Sequence, residues 1–372
     1  MATSLPTHAP IDVFGRLPVE IRLSIMDHCH GPSSLWSLIK ASRAMSSVFE
    51  GYGAEIIENN IAKTVPVQTQ TVMRAVFRTR IGCGPGFDDA KNLTKVNSHP
   101  IIEDKDNEKS DIELPRRFLT LAHRIHTLAH ACIDHYIEKS LTIRPASVAK
   151  FPNKIHNLRK KDGESEDCRY QPRITGPPSW VEEHRVIKAL WRVQLFFELN
   201  SARTRHRLDW PVVDLDALAS SSLPGYFSID DYEIQQILTV YEYLEQLQNQ
   251  QCLHDYRLPT IGKGLAIDYS CADQTVSGFR EECLQHRPGH IDWSPTSCAS
   301  QRVLANGGLA APIPGIPFEP YRKYGLAIWD NVRMRDLGLS EPRRMAMFTM
   351  SKYFFRWYSI LTEEERRLHP WG

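Results

Sequence analysis

Residues 179–199 read SWVEEHRVIKALWRVQLFFEL. Ser179 and Glu182 stand three apart. This is the spacing of a capping box, in which the two side chains satisfy each other's backbone N–H groups at a helix start. Behind the cap, Val186, Ile187, Leu190, Trp191, Val193, Leu195, Phe196, Phe197 and Leu199 make the helix apolar on almost every side. Only a narrow stripe, Lys188, Arg192, Gln194 and Glu198, is polar. A helix with so little polar surface belongs in the middle of a core, and other elements must cover it.

The flanking sequence supplies mostly helices. Phe118 to Lys139 is amphipathic, with Phe118, Leu121, Ala122, Ile125, Leu128, Ala129, Cys132 and Tyr136 on one face. A helix opens at Ser228-Ile229-Asp230-Asp231, with Ile234, Ile237, Leu238, Tyr241 and Leu244 inward. Val67 to Arg80 is helical, and Tyr321 to Leu361 returns to helix. Strand signals are few and isolated, and no fixed-period repeat suggests a solenoid or propeller. The expected fold is mainly α. Its parts are an N-terminal three-helix module (11–60), a connecting helix (61–81), a polar loop (82–114) and an irregular helical C-terminal domain with long loops (115–372). Gly82-Cys83-Gly84-Pro85-Gly86 breaks the chain ahead of a charged run, Glu103 to Lys109, whose composition favours disorder. Residues 159–178 and 286–320 read as further loops.

Composition removes several function classes. The 372 residues carry 45 Lys+Arg against 44 Asp+Glu, a net charge of +1. Such a balance offers no general attraction for nucleic acid or anionic membranes. No run approaches the ~18 apolar residues of a membrane span. Met1 to Pro10 lacks the cationic start and apolar core of a secretory signal. A cytoplasmic or nuclear location is the expectation. Eight cysteines without a C-x-x-C pair suit free thiols rather than a disulfide scaffold.

The N-terminal module carries the one motif with functional content. Leu17-Pro18-Val19-Glu20 sets Pro at a helix start and Glu near the positive end of the dipole. Ile21, Ile25, Met26 and Cys29 follow at helical spacing, and Gly31-Pro32 stops that helix. A second helix carries Leu35, Leu38 and Ile39, and a third Met45, Val48, Phe49, Tyr52, Ile56 and Ile57. This module resembles an F-box, whose pattern begins Leu-Pro-x-Glu-Ile and closes with Leu-x-x-Leu and a Cys-Arg-x-Trp-like turn. Leu17, Pro18, Glu20 and Ile21 match the opening, and Ile25 and Met26 the next apolar pair. Leu35 and Leu38 give Leu-x-x-Leu, and Ser42-Arg43-Ala44-Met45 stands at the closing turn. The match covers roughly residues 14–55 and is similar to the start of filamentous-fungal F-box-like proteins.

The resemblance implies a non-enzymatic adaptor. It would dock on the Skp-type linker of a cullin-RING ubiquitin ligase and hold a protein substrate through the rest of the chain. Carried over by position, the docking residues are Leu17, Pro18, Ile21, Ile25, Leu35 and Leu38. Arg22, Cys29 and Met45 replace residues that are usually Leu, Leu and Trp, which removes apolar area worth about 25 cal/mol per Å2. The competing reading is an interaction protein whose F-box-like helices pack on its own C-terminal domain. Exposure of the Leu17-Pro18-Ile21 surface separates the two.

Other constellations point less far, and no cofactor is expected. His123, His126 and His130 share a helical face at metal-ligand spacing, but that face lies opposite the Ile125–Cys132 stripe and reads as solvated, with no closed second shell. Cys252, His254, Asp255, Cys271, Cys283, His286 and His290 could be assembled as a zinc or nucleophile set, yet nothing local activates one thiol. An enzyme would need His254, Asp255 and a cysteine within hydrogen-bond reach in one pocket. Gly262-Lys263-Gly264 is not a phosphate loop. Residues 321–372 hold ten Lys+Arg against six Asp+Glu amid aromatics. This reads as a core helix with a basic outer face, with nucleic acid a minor alternative.

Overall fold

The computed structural model describes residues 12–82, 84–93, 113–146, 170–173, 176–229, 231–249, 316, 318–339 and 356–368. Among them the protein is mainly helical and contains no strand. After a 3-10 turn at Val13–Arg16 come α1 (Val19–Asp27), α2 (Pro32–Ala41), α3 (Arg43–Thr64), α4 (Val67–Arg80) and α5 (Phe87–Asn92). Then follow α6 (Glu113–Ser140), α7 (Trp180–Thr204), α8 (Val212–Ser220), α9 (Leu223–Tyr226) and α10 (Asp231–Asn249), with short helices α11 (Glu319–Arg322), α12 (Asn331–Asp336) and α13 (Glu363–Leu368).

α7 is the central helix. Its capping box forms as spaced: the Ser179 hydroxyl accepts from the Glu182 N–H, and the Glu182 carboxylate accepts from the Ser179 N–H at 2.9 Å. Beyond the first turn nearly every residue is buried, because α4, α6 and α10 pack around it. Phe77 of α4 meets Phe118 of α6 edge-on at 5.4 Å, and Phe118 stacks over Trp191 of α7 at 6.3 Å. These aromatics tie three helices at one point. The polar stripe of α7 is matched rather than solvated. Lys188 and Arg192 both pair with Glu233 of α10, and Glu198 accepts from Arg80 of α4 and from Gln194. Each buried charge has an opposite partner, which makes its burial tolerable and fixes how the flanking helices register on α7.

Residues 61–81 do not form one connecting element. α3 continues to Thr64, and α4 is a core wall whose Val72, Met73, Ala75, Val76 and Phe77 are buried. Part of the expected polar loop 82–114 is helical too. α5 seats Phe87 edge-on to Trp210 at 5.4 Å, and α6 already begins at Glu113. Residues 94–112, including the charged run, lie outside the described residues.

The helix expected over 321–361 is interrupted. Gly325 and Gly338 adopt φ +68° and +76°, in the left-handed region that stops a helix. A Cβ at Gly325 would stand 2.7 Å from Tyr136 Cβ, and one at Gly338 2.4 Å from Tyr170 Cδ1. Close approach therefore demands glycine at both turns. Trp329 and Trp357 fill the space beside them, fully buried, with the Trp357 indole N–H donated to Leu339 O at 3.0 Å. Tyr358 and Leu361 pack as expected against the core; Ser340 and Phe354 lie outside the described residues. The buried apolar residues of the N-terminal module and those of the later helices belong to one continuous core.

Candidate docking surface

The module is held together by polar locks at its helix ends. The Asp12 carboxylate accepts from the Ser42 hydroxyl, the Ala44 N–H and the Phe14 N–H, while the Ser42 hydroxyl caps α3 by accepting from Met45 N–H. These donors, Ala44 and Ser42 foremost, hold the Asp12 carboxyl below its usual range. Asn60, fully buried in α3, donates to Cys29 O at 2.9 Å and so satisfies a carbonyl just beyond the end of α1. Lys63 reaches Asp27 from the same side.

Between these locks α1 turns little of itself inward: Met26 is its one buried residue. Pro18 is the N-cap rather than the first helical residue, and Val19 opens the helix. Pro18, Val19 and Ile21 are exposed, Ile21 by 48% of its surface. Ile21, Ser24, Ile25 and His28 recur at i, i+3, i+4 and i+7, so they share one face. On that face Ser24, Ile25, His28 and Cys29 meet Leu38 of α2 around a shallow, open concavity of about 480 Å3.

Of the residues expected to dock a partner, the structure thus gathers Pro18, Ile21, Ile25 and Leu38 on one apolar outer surface. Leu17 is half-buried beside it. Leu35 does not reach the surface: it is fully buried and supports α2 from behind. The three departures from the F-box pattern each have a local job. The Arg22 guanidinium donates to Ala44 O at 3.1 Å and braces the start of α3. Cys29 lines the concavity, and burial pushes its thiol pKa up, so it stays a protonated apolar group. Met45 is fully buried and fills the core.

The opposite side of α2 is covered by α6. Ser33 contacts His123 at 2.8 Å (Oγ to Nδ1), and Arg116 joins Ser46 and Glu50 of α3. This corrects the expectation of a solvated histidine face. His123, His126 and His130 are shielded between α2, α6 and α7, not spread on open solvent. The His126 and His130 rings lie 4.5 Å apart, and His184 of α7 joins them electrostatically. Burial, with positive neighbours in support, holds the pKa of His126 down at about 3 and that of His184 at about 4. The tilt of α6 that buries this face could not be read from a single helix. Among the described residues no group of three or more His, Cys, Asp or Glu is disposed to hold a metal ion.

The basic C-terminal stretch turns much of its charge inward. Arg322 pairs with Glu242, Lys323 with Glu365 and Arg333 with Glu182. The Cys252–His290 set and Gly262-Lys263-Gly264 lie outside the described residues. No helix among the described residues is long and apolar enough to cross a membrane. No family model, curated protein or solved structure matches the chain.

Proposed function

We propose that the chain is an F-box-type substrate adaptor. In this reading the outer face of α1 and the α1–α2 concavity dock on a Skp-type linker of a cullin-RING ubiquitin ligase. The helices from α4 onward present a protein substrate, and the chain itself performs no catalytic step. The observation that carries the reading is the exposure of Pro18, Ile21 and the Ile25–Leu38 concavity, while the far side of α2 is already packed against α6. An apolar helical face left uncovered beside a filled core is the kind of surface a partner groove buries. Co-precipitation of the full chain with a Skp-type linker tests it. Binding should be lost in Pro18→Ala/Ile21→Asp, both at exposed positions, and unchanged capture by that variant sinks the assignment.

A second reading, a ligase-independent interaction protein, draws on the seam that α2 and α3 form with α6. Ser33–His123 and Arg116–Glu50 bind the module to its own C-terminal region. Failure of the wild-type chain to capture any Skp-type linker would favour it.

A further inference from the structure

A second cleft, of about 590 Å3, opens between α4, α6 and the end of α7, with Trp36 of α2 on its wall. Its lining holds six arginines, Arg80, Arg116, Arg117, Arg124, Arg205 and Arg207, against two glutamates, and no lysine. Guanidinium groups differ from ammonium groups in presenting a planar fork that matches the two oxygens of a carboxylate or phosphate. Part of this charge is already matched: Arg80 pairs with Glu198, and Arg116 with Glu50. Arg117, Arg205 and Arg207 are exposed, and among the described residues none of the three has an acidic partner. The same lining carries apolar side chains that keep exposed surface, half-buried Trp36 and Leu114 and Ile81 at 37% exposure, backed by the buried Phe77 and Leu121.

From this juxtaposition we propose that the cleft binds an acidic peptide segment, carrying phosphate or clustered carboxylates, with an apolar side chain set against Trp36, Ile81 and Leu114. The cavity lies in the range of specific ligand sites, ~300–1,000 Å3, and is larger and more apolar than a lone inorganic anion requires. Nucleic acid is disfavoured because the cations converge on one cleft rather than tracking a backbone, and the chain as a whole is nearly neutral. The inference does not rest on linker docking, which involves a different face of the module.

The test is fluorescence anisotropy on the full chain with four probes. These are a labelled peptide bearing phosphoserine among glutamates and one leucine, its unphosphorylated form, the same peptide with lysine in place of every glutamate, and a single-stranded oligonucleotide. The acidic peptides should bind, more weakly as salt rises. Arg205→Glu/Arg207→Glu should weaken them about tenfold or more, the scale of losing charge-assisted contacts. Arg16→Glu/Arg43→Glu, an equal charge change at exposed sites on the module, should not. A preference for the phosphorylated form names phosphate as the group bound; equal binding of both forms names carboxylate, and either supports the site. Tighter binding of the oligonucleotide, equal binding of the lysine peptide, no binding of any peptide, or indifference to Arg205→Glu/Arg207→Glu would overturn it. Linker capture in the same preparation, unaffected by Arg205→Glu/Arg207→Glu, keeps this outcome separate from that of the adaptor reading.

Discussion

Glu182 and Arg333 form a two-pronged ion pair, Oε1 to Nε and Oε2 to Nη2 both at 2.9 Å, with side chains only 1% and 6% exposed. The same carboxylate receives the N–H groups of Ser179 and Asp330, and Arg333 lies over the Trp329 ring at 4.9 Å. One side chain thus caps α7, anchors the start of α12 and neutralises a buried cation.

Removing one half of that pair strands the other in the core. Arg333→Met should destabilise the chain by about 3–5 kcal/mol. Glu182→Gln should cost a similar amount while keeping part of the cap. The double variant should lose less than the sum of the two. Urea denaturation of the three variants measures this, and strict additivity would show that the pair is not coupled.

Acid should weaken the fold before it reaches the carboxylates. His126, His130 and His184 all have pKa values held down by burial. The unfolded chain takes up protons near pH 6.5, and the folded chain does so only further down. Stability is therefore complete above about pH 6.5 and falls as pH drops, by about 1.4 kcal/mol per pH unit for each histidine that stays neutral. Asp12, whose pKa is lowered, adds a loss of the same sign as pH falls through its folded value. Denaturant midpoints at a series of pH values should show this slope, and His126→Gln should reduce it. A flat profile between pH 6.5 and 5 would contradict the shielded cluster.

The two positive-φ glycines should behave unlike a helical one. Gly325→Ala forces a Cβ to within 2.7 Å of Tyr136 in a left-handed turn and should cost more than about 1 kcal/mol. Gly51 lies inside α3 with nothing within 4 Å of its added Cβ, so Gly51→Ala should stabilise by about 0.5–1 kcal/mol. Thermal unfolding distinguishes the opposite signs.

Ser42→Ala should loosen the module locally. It removes the cap of α3 and one donor to Asp12, a loss of about 1–2 kcal/mol. Amide exchange should rise first in α1 and the start of α3 while α7 remains protected. Uniform loss of protection would mean that the module has no local stability of its own.

What could be read in advance followed from short-range pattern. The all-round apolarity of 186–199 predicts a central helix, and Ser179–Glu182 predicts its cap. Both are present, because each depends on neighbours within a turn or two. The exposed α1 face was legible as a motif, but the burial of Leu35 was not. Leu35 and Leu38 are three residues apart and equally apolar, and only the positions of α3 and α6 decide which one faces out. The same long-range packing shields the histidines of α6 and turns the basic C-terminal stretch inward, since His184, Glu182 and Glu242 are distant in sequence. The arginine cleft was hidden for this reason: its cations come from α4, α6 and the turn after α7, and no window of sequence contains more than a few of them.

α6 touches α2 through His123 and α10 through Tyr136, whose hydroxyl donates to Thr239 O at 2.8 Å. Those two anchor points are separated by about 20 Å along one unbroken helix. Because the module and the later helices share a core, no pivot separates them along this span. A molecule bound at α1 and another bound near α10 would be held at a set spacing and angle, so α6 would act as a ruler between them. Lengthening it by a single residue would rotate one anchor about 100° relative to the other, a change in aim rather than in reach.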